Sequence, residues 1–345
     1  MGSKRKPRRG WTRCSDQRLL EQRLRDLDLR IERTWLQSCV NRLYQELENR
    51  GILFRPHVWL STEWFSPDGV PGIAIPFYLA HPRLMRLERR EMLQVEGGTD
   101  AACMRILRHE AGHALDTAYR LHFKPAWRKA FGRYAQRYPD YYIPKPDSRS
   151  YVLHLDSWYA QAHPAEDFAE TFAVWLQPRS AWRQRYRDWP KVLRKLRYVE
   201  REMSASVVEQ PPRVRSRRQV DPVSRMSQTL GDYYDKKRAR YHAPWPEFYD
   251  RDLFRLFSDD ARYRDRPTAV SFLRSMRAEL RESVAEWTGV HPYTVDQVLQ
   301  DMMERARELR LRLAVSPRRA KTRAVLLLTV HTMNCLYVGR YEIPL

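Results

Sequence analysis

The sequence has few cysteines, and they lie far apart. Its 345 residues include only Cys14, Cys39, Cys103 and Cys335, and no two of these form a CxxC pair. Such spacing argues against a zinc ribbon and against a dense disulfide framework, and it is typical of a reducing compartment. We therefore expect a cytoplasmic protein.

Long apolar runs are also absent. No window approaches the roughly 18 consecutive apolar residues that a membrane-spanning helix needs. The basic N-terminal residues MGSKRKPRRGW are not followed by an apolar run of signal-peptide length. We therefore expect neither a membrane span nor secretion.

Negative charge is scarce compared with positive charge. The chain has 63 Lys and Arg residues against 42 Asp and Glu, a formal net charge of +21 and a pI near 10.1. Such a field attracts nucleic acid, anionic membrane surfaces and acidic proteins, and salt weakens each attraction. With 43% hydrophobic residues the chain can still bury a core, so we expect a globular protein.

Composition divides the chain into four segments. Residues 1–15 are predicted to be a basic flexible arm, 16–205 a first domain, 206–227 a linker rich in proline and arginine, and 228–345 a second domain with helical periodicity. The expected fold class is α+β: a first domain with a small antiparallel sheet and helices, followed by a mainly α-helical C-terminal domain.

Local patterns predict the elements of the first domain. Apolar residues at helical spacing predict a helical region over 16–49, and β-rich stretches at 52–61 and 69–79 flank the turn SPDG, which favours an antiparallel pair. A helix is predicted from 99 to about 119, and another from 164 to about 177.

The helix predicted over 99–119 contains HEAGH. On a helix, His109 and His113 project from one face and can reach one ion, and Glu110 lies at the edge of that face. In zinc hydrolases this pattern lets two histidines bind the metal while the glutamate acts as the general base toward a metal-activated water. A catalytic zinc site also needs a third protein ligand.

Three positions compete for the role of third ligand. A metzincin needs a histidine or aspartate six residues beyond the second histidine, and that position is Tyr119, so the metzincin arrangement is excluded. Asp116 shares the face of His113, but ligands crowded on one helix do not easily surround a tetrahedral ion, so we expect a supporting or ion-pair role. The helix from Pro164 carries Glu166 and Glu170, four residues apart on one face.

Two interpretations of Glu166 and Glu170 are open. Like charges at this spacing repel, and a solvated acidic edge at a helix N-terminus would explain them without any metal. A metal with histidine ligands would reverse the penalty, with Glu166 binding the ion and Glu170 accepting a hydrogen bond from a ligand histidine. The presence of HEAGH favours the second interpretation.

HEAGH together with WYAQAHPAEDFAETFAVWL (158–176) resembles the gluzincins, and more closely the bacterial family known as putative zinc-binding metallopeptidases. The similarity runs from about residue 30 to 255, and a basic arm stands where some members carry a cysteine-rich zinc ribbon. The resemblance implies a zincin-like metallopeptidase domain over 16–205, in which the helix with HEAGH is the active-site helix, and a peptide or protein substrate. It also implies one catalytic zinc ion held by His109, His113 and Glu166, with Glu110 as base.

Hydrolysis of an amide bond needs a further donor for the developing oxyanion. Tyr159 is the expected donor, because it lies seven residues before Glu166 in the approach to the same helix. His154 and His163 compete for this role, although His163 before Pro164 would also serve as a helix cap. The stretch GIAIPFYL is either an exposed edge that binds an extended peptide or a buried strand.

A second functional class is open. The basic segments KRKPRR and RVRSRR fit a nucleic-acid-associated protein whose metal site is regulatory or structural, or a protease acting on proteins bound to DNA. No helix-turn-helix, zinc-finger or RNP signature accompanies these segments, which favours the peptidase.

Overall fold

The structure is a computed structural model that describes residues 10–139, 141–142, 145, 147–208, 210–241, 249–338 and 343–344. The chain divides into two compact units. Unit 1 lies within 1–89, 95–233 and 343–345, and unit 2 within 90–94 and 234–342. Most described residues are helical and the sheets are small, which fits the expected α+β class.

Fourteen α-helices are described, in chain order: α1 Asp16–Leu20, α2 Trp35–Glu48, α3 Pro82–Met92, α4 Asp100–Tyr119, α5 Pro125–Phe131, α6 Pro164–Leu176, α7 Trp182–Arg185, α8 Pro190–Glu202, α9 Leu230–Tyr241, α10 Asp250–Leu253, α11 Ala269–Ser275, α12 Arg277–Thr288, α13 Pro292–Glu308 and α14 Pro317–Val338. The described strands pair two by two: β1 His57–Ser61 with β2 Gly72–Pro76, β3 Tyr141–Tyr142 with β6 Ile343–Pro344, and β4 Phe257–Ser258 with β5 Arg312–Leu313.

The sheet of unit 1 differs from the expected antiparallel pair. β1 and β2 are parallel, with Val58 opposite Ile73. After β1 the chain crosses to the far edge of β2, where the backbone N–H of Ala74 donates to the carbonyl of Phe65 at 2.8 Å in an antiparallel bridge. The SPDG turn therefore does reverse the chain, but between Phe65 and β2. All five residues of β2 are buried, so its sequence forms a buried strand.

The predicted helical region over 16–49 is interrupted. Helix α1 ends at Leu20, and the chain then adopts positive φ at Asp28 and Arg33, a conformation that a helix cannot contain. Of the expected basic arm, residues 1–9 lie outside the described residues. Trp11 is buried, and its indole N–H donates to the carbonyl of Leu27 at 3.2 Å.

Helix α4 begins where the capping residues predict. The hydroxyl of Thr99 accepts a hydrogen bond from the backbone N–H of Ala102 at 3.2 Å, which satisfies a donor at the helix N-terminus. Helix α4 is buried over most of its length. Arg108 on α4 joins this helix to α2. Its guanidinium donates two hydrogen bonds of 2.7 Å to the buried carboxylate of Glu46.

Helix α6 also confirms its predicted limits. Pro164 occupies the first turn, where its missing N–H is harmless, and the chain leaves the helix at Gln177 before Pro178. The ring of His163 caps the helix, since its Nδ1 accepts from the backbone N–H of Ala165 at 3.1 Å. Every residue from 165 to 176 is buried, so the acidic residues of this helix lie in the interior of the unit.

Helices α4 and α6 approach each other closely at Gly112, the glycine of HEAGH. A Cβ atom at this position would lie 2.9 Å from the Cα of Ala169 and 3.2 Å from its carbonyl oxygen. Ala169 lies between Glu166 and Glu170 on α6. Because Gly112 has no side chain, α4 and α6 can approach closely. This approach brings the histidines of HEAGH near the two glutamates of α6.

We expect Gly112→Ala to lower the free energy of unfolding of unit 1 by about 1–3 kcal/mol, because the added methyl group must push α6 away. Gly231→Ala is the matched control: it is also a helical glycine, but its Cβ would meet its nearest neighbour at an ordinary 3.4 Å. The control should be neutral or stabilising by up to about 1 kcal/mol. Urea unfolding followed by tryptophan fluorescence compares the two variants, and equal midpoints would contradict the close approach.

A segment without regular structure, 210–221, follows the surface of unit 1 and is fixed at several points. The backbone N–H groups of Arg213 and Val214 both donate to the carbonyl of Ala118, at 2.8 and 3.0 Å. Further along, the indole of Trp59 donates to the carbonyl of Val220 at 2.8 Å. This part of the expected linker is therefore held against the unit along its length.

Unit 2 is helical, as the periodicity predicts. Helix α13 packs against α11, α12 and α14 around buried apolar residues such as Leu273, Val298 and Leu328. An ion pair between Arg277 and the buried Asp296 joins α12 to α13, with Nε 2.7 Å from Oδ1. Among the described residues, no helix has the length and apolar character needed to cross a membrane.

Candidate metal centre

Polar side chains from α4 and α6 meet in the interior of unit 1. His109 and His113 project from one face of α4, and Glu166 and Glu170 project from the facing side of α6. Glu166 is 4% exposed and Glu170 is 1% exposed, so neither forms a solvated acidic edge. The interpretation of Glu166 and Glu170 as a solvated acidic edge is therefore wrong. Burying two carboxylates requires partners of opposite charge or a cation.

Three of these residues direct one atom each toward a common point. The Nε2 atoms of His109 and His113 are 3.1 Å apart, and the Oε2 atom of Glu166 lies 3.0 and 3.1 Å from them, respectively. A tetrahedral zinc ion with bonds of about 2.0–2.2 Å holds its ligand atoms about 3.3–3.6 Å apart. The triangle is close to that spacing, and its donor set of two imidazoles and one carboxylate suits zinc.

The carboxylate of Glu170 fixes the orientation of the His109 ring. Its Nδ1 lies 2.8 Å from the Oε1 of Glu170, whose other oxygen accepts the backbone N–H of Leu155 at 2.8 Å. A carboxylate accepts, so the Nδ1 of His109 carries a proton and donates to Glu170, while its Nε2 faces His113 and Glu166. Where Nε2 faces the carboxylate of Glu166, a positive charge is needed between them, either a proton or a metal ion in its place.

The pKa values show the same demand for positive charge. Burial alone would lower the pKa of His109, but its hydrogen bonds with Glu166 and Glu170 outweigh burial and hold the pKa well above its ordinary value. The pKa of His113 is also raised, because the carboxylate of Glu166 outweighs burial. Burial would raise the pKa of Glu166, yet the two histidines hold it well below its usual range. The cluster therefore favours a cation among its acceptors.

Glu110 lies beside this cluster and is buried. Its Oε2 atom has no hydrogen-bond partner among the described residues. Burial raises the pKa of its carboxyl group, and the charges of His109 and His113 counteract this only in part. A buried carboxylate oxygen without a partner is costly, and it fits a site that receives a water molecule or a substrate.

Of the three candidates for the further donor, Tyr159 has a ring contact with a histidine of the cluster. Its ring lies 5.6 Å from the ring of His109, centroid to centroid, and burial, followed by the charges of Glu166 and Glu110, raises its pKa well above the usual value. His154 and His163 have structural partners: the Nε2 of each lies near a backbone carbonyl, that of Arg105 at 2.9 Å and that of Gln136 at 3.1 Å.

Asp116 lies one turn beyond His113 and has a different partner. Its Oδ2 is 2.6 Å from the Nδ1 of His122, in an ion-pair arrangement, and the ring of His122 stacks on Tyr134. Tyr119, the metzincin position, packs edge-on against Phe54. Neither residue supplies an atom to the triangle.

Tyr138 is a residue of this centre that the sequence did not reveal. Its hydroxyl donates to the Oε1 of Glu166 at 2.8 Å, and its ring stacks on His163 at 3.8 Å between centroids. The hydrogen bond holds the carboxylate so that Oε2 faces the histidines. The chain contains 19 tyrosines, so no spacing singled this one out.

Comparison with known proteins matches part of the chain. A family model described as "Putative zinc-binding metallo-peptidase" matches residues 90–187, which include α4, α6 and all the residues of the centre. The match adds nothing to the nucleic-acid alternative. No curated protein and no solved structure matches the chain.

Proposed function

We propose that the chain is a zinc-dependent peptidase of the gluzincin type, with a zincin-like fold in its first domain. His109, His113 and Glu166 would hold one catalytic zinc ion, and Glu110 would be the general base. The observation that carries the proposal is the triangle of two Nε2 atoms and one Oε2 atom at 3.0–3.1 Å, next to a buried carboxylate oxygen without a partner among the described residues. The family match over 90–187 supports a peptide or protein substrate.

When bound, zinc supplies a Lewis acid that polarises the carbonyl group under attack and lowers the pKa of water. Glu110 takes the proton from the attacking water and delivers it to the leaving amine as the C–N bond breaks. Its burial raises the pKa of the carboxyl group above the usual value, which strengthens it as a base. Glu170 would hold the tautomer of His109, and Tyr138 would hold the carboxylate of Glu166.

Tyr159 is proposed to donate a hydrogen bond to the oxyanion. Its phenol stays protonated because burial and the neighbouring carboxylates raise its pKa. The hydroxyl therefore keeps its proton near neutral pH and can act as a donor.

The proposal is tested with the full chain, treated with a chelator and then reconstituted with one equivalent of zinc. A library of unmodified peptides is incubated with both forms, and mass spectrometry identifies the products. We expect cleavage only after zinc is restored. Equal cleavage by the two forms would contradict a catalytic zinc ion. So would the absence of cleavage by the reconstituted form when that form is shown to contain zinc.

Tyr159→Phe is expected to lower kcat by about 10²–10³-fold, the effect of removing one donor from an oxyanion site, with little change in zinc content. Tyr142→Phe is a useful control, because it removes the hydroxyl of another buried tyrosine, whose ring lies 6.4 Å from that of Tyr159. Turnover is measured on a cleaved peptide beside zinc per chain. Unchanged turnover in Tyr159→Phe would remove this residue from the mechanism.

A further inference from the structure

A cleft on unit 1 lies apart from the metal centre. It has a volume of about 680 Å³, and its lining comes from residues 53–55, 57, 207, 208, 210–212 and 215–217 together with Pro71 and Tyr119. No residue of the metal centre lines it. Whatever binds in this cleft can therefore be studied separately from hydrolysis.

Arginines line one side of the cleft. Arg215 and Arg217 are exposed, and neither forms an ion pair with a carboxylate in the part of the chain that the structure describes. Arg55 also lines the cleft and has Glu48 at 3.4 Å, where both side chains are exposed. The Nε of Arg215 donates to the carbonyl of Pro212 at 3.2 Å, and neither guanidinium group has a carboxylate partner among the described residues. Guanidinium groups of this kind bind carboxylates or phosphates.

The backbone that carries these arginines is held in place. Arg215 and Arg217 are exposed while Ser216 between them is half-buried, so both side chains leave the segment on its open side. Hydrogen bonds to Ala118 and from Trp59 hold the segment 210–221, which preorganises the two arginines for a ligand. In an extended peptide, alternate residues lie about 6.6–6.8 Å apart on one face, so two of its carboxylates can reach two neighbouring guanidinium groups.

Apolar residues on the cleft indicate which anionic ligand fits. Leu53 is 80% exposed and Val208 is 43% exposed, so an apolar group bound beside the arginines would cover both. The rings in the lining already have ring partners within the protein: Phe54 packs edge-on against Tyr119, and His57 stacks on Trp59. Base stacking is therefore less favoured here than a contact with an apolar side chain. Carboxylates next to apolar side chains are a property of acidic polypeptides.

We propose that this cleft binds an acidic polypeptide segment in an extended conformation, with alternate carboxylates on Arg215 and Arg217 and an apolar side chain against Leu53 and Val208. If the chain is a peptidase, as proposed above, this segment belongs to the substrate, and the cleft selects acidic proteins at a distance from the bond that is cut.

The test measures binding of a fluorescein-labelled peptide to the full chain by fluorescence anisotropy at physiological ionic strength. The probe has Glu at alternate positions and Leu at one end. The Glu110→Gln variant is used, so that the peptide stays intact and binding is measured without hydrolysis. Loss of hydrolysis and loss of binding are then separate observations, and failure of one proposal does not imply failure of the other.

We expect the double substitution Arg215→Gln and Arg217→Gln to weaken binding by about tenfold or more, since it removes two charge-assisted contacts. The matched control is Arg194→Gln with Arg197→Gln, two exposed arginines on α8 that lie outside the cleft and cause the same change in net charge. Leu53→Ser should also weaken binding. Equal weakening by both double substitutions would reduce the effect to net charge and overturn the proposal.

Two further measurements complete the test. A peptide of the same composition with its Glu residues contiguous should bind less tightly, and equal binding would contradict the extended register. A single-stranded oligonucleotide of equal charge that binds more tightly, and loses affinity in the cleft variant, would assign the cleft to nucleic acid instead.

Should the cleft variant fail to fold, photo-crosslinking of the peptide to the parent chain decides. Adducts within 53–57 or 207–217 support the proposal, and adducts elsewhere contradict it.

Discussion

Glu110→Gln is expected to abolish nearly all peptide hydrolysis while the protein keeps its zinc. Loss of a general base costs about 10²–10⁴-fold in rate, and glutamine has the shape of glutamate but cannot accept the proton of the attacking water. Glu110 does not belong to the triangle of candidate ligands, so the metal affinity should hardly change. The measurement is kcat/KM on a cleaved peptide, beside zinc per chain for the same sample.

A second buried glutamate provides the control for this substitution. Glu202 is 8% exposed and is ion-paired with Lys124, away from the metal centre. Glu202→Gln removes the same charge from a buried position and should leave hydrolysis within a few-fold of the parent. If Glu110→Gln hydrolyses peptides as fast as Glu202→Gln, then Glu110 is not the base.

Glu166→Ala is expected to have the second large effect, on the metal itself. It removes one of only three protein atoms that converge in the triangle, and it leaves two buried histidines facing each other with Nε2 atoms 3.1 Å apart. Zinc affinity should fall far more than the about 10–100-fold expected for Glu170→Ala, which removes only the partner of His109. Competition with a chromophoric chelator measures both affinities.

The comparison between the two glutamates is what decides this prediction. They lie one turn apart on α6, both buried, so the two alanine variants lose similar packing and the same charge. Equal zinc affinity in Glu166→Ala and Glu170→Ala would mean that the third ligand lies elsewhere, with Asp116 the first residue to examine.

The sequence was informative where the interactions are local. Thr99 and Pro164 mark the starts of α4 and α6, and helical periodicity then determines which residues share a face with His109. No local pattern predicts that α4 lies next to α6. Their proximity follows from the charges, because two glutamates four residues apart are unfavourable unless a cation lies between them and the histidines. Both helices have their predicted limits, and their polar faces do meet.

Features that depend on distant pairing could not be predicted. The parallel arrangement of β1 and β2 depends on a chain crossover whose turn, SPDG, looks the same in a simple hairpin. Tyr138 reaches Glu166 across 28 residues from a loop that has no periodicity. The pairing of Asp116 with His122 and the fit of Gly112 against Ala169 are likewise tertiary contacts, which appear in no local pattern.

The most direct test of the central claim is a diffraction experiment on crystals of the zinc-loaded chain, with data collected on both sides of the zinc absorption edge. The account predicts one anomalous peak per chain, bonded to the Nε2 atoms of His109 and His113 and to a carboxylate oxygen of Glu166. A peak at other residues, or none at this centre in crystals that contain zinc, would contradict it.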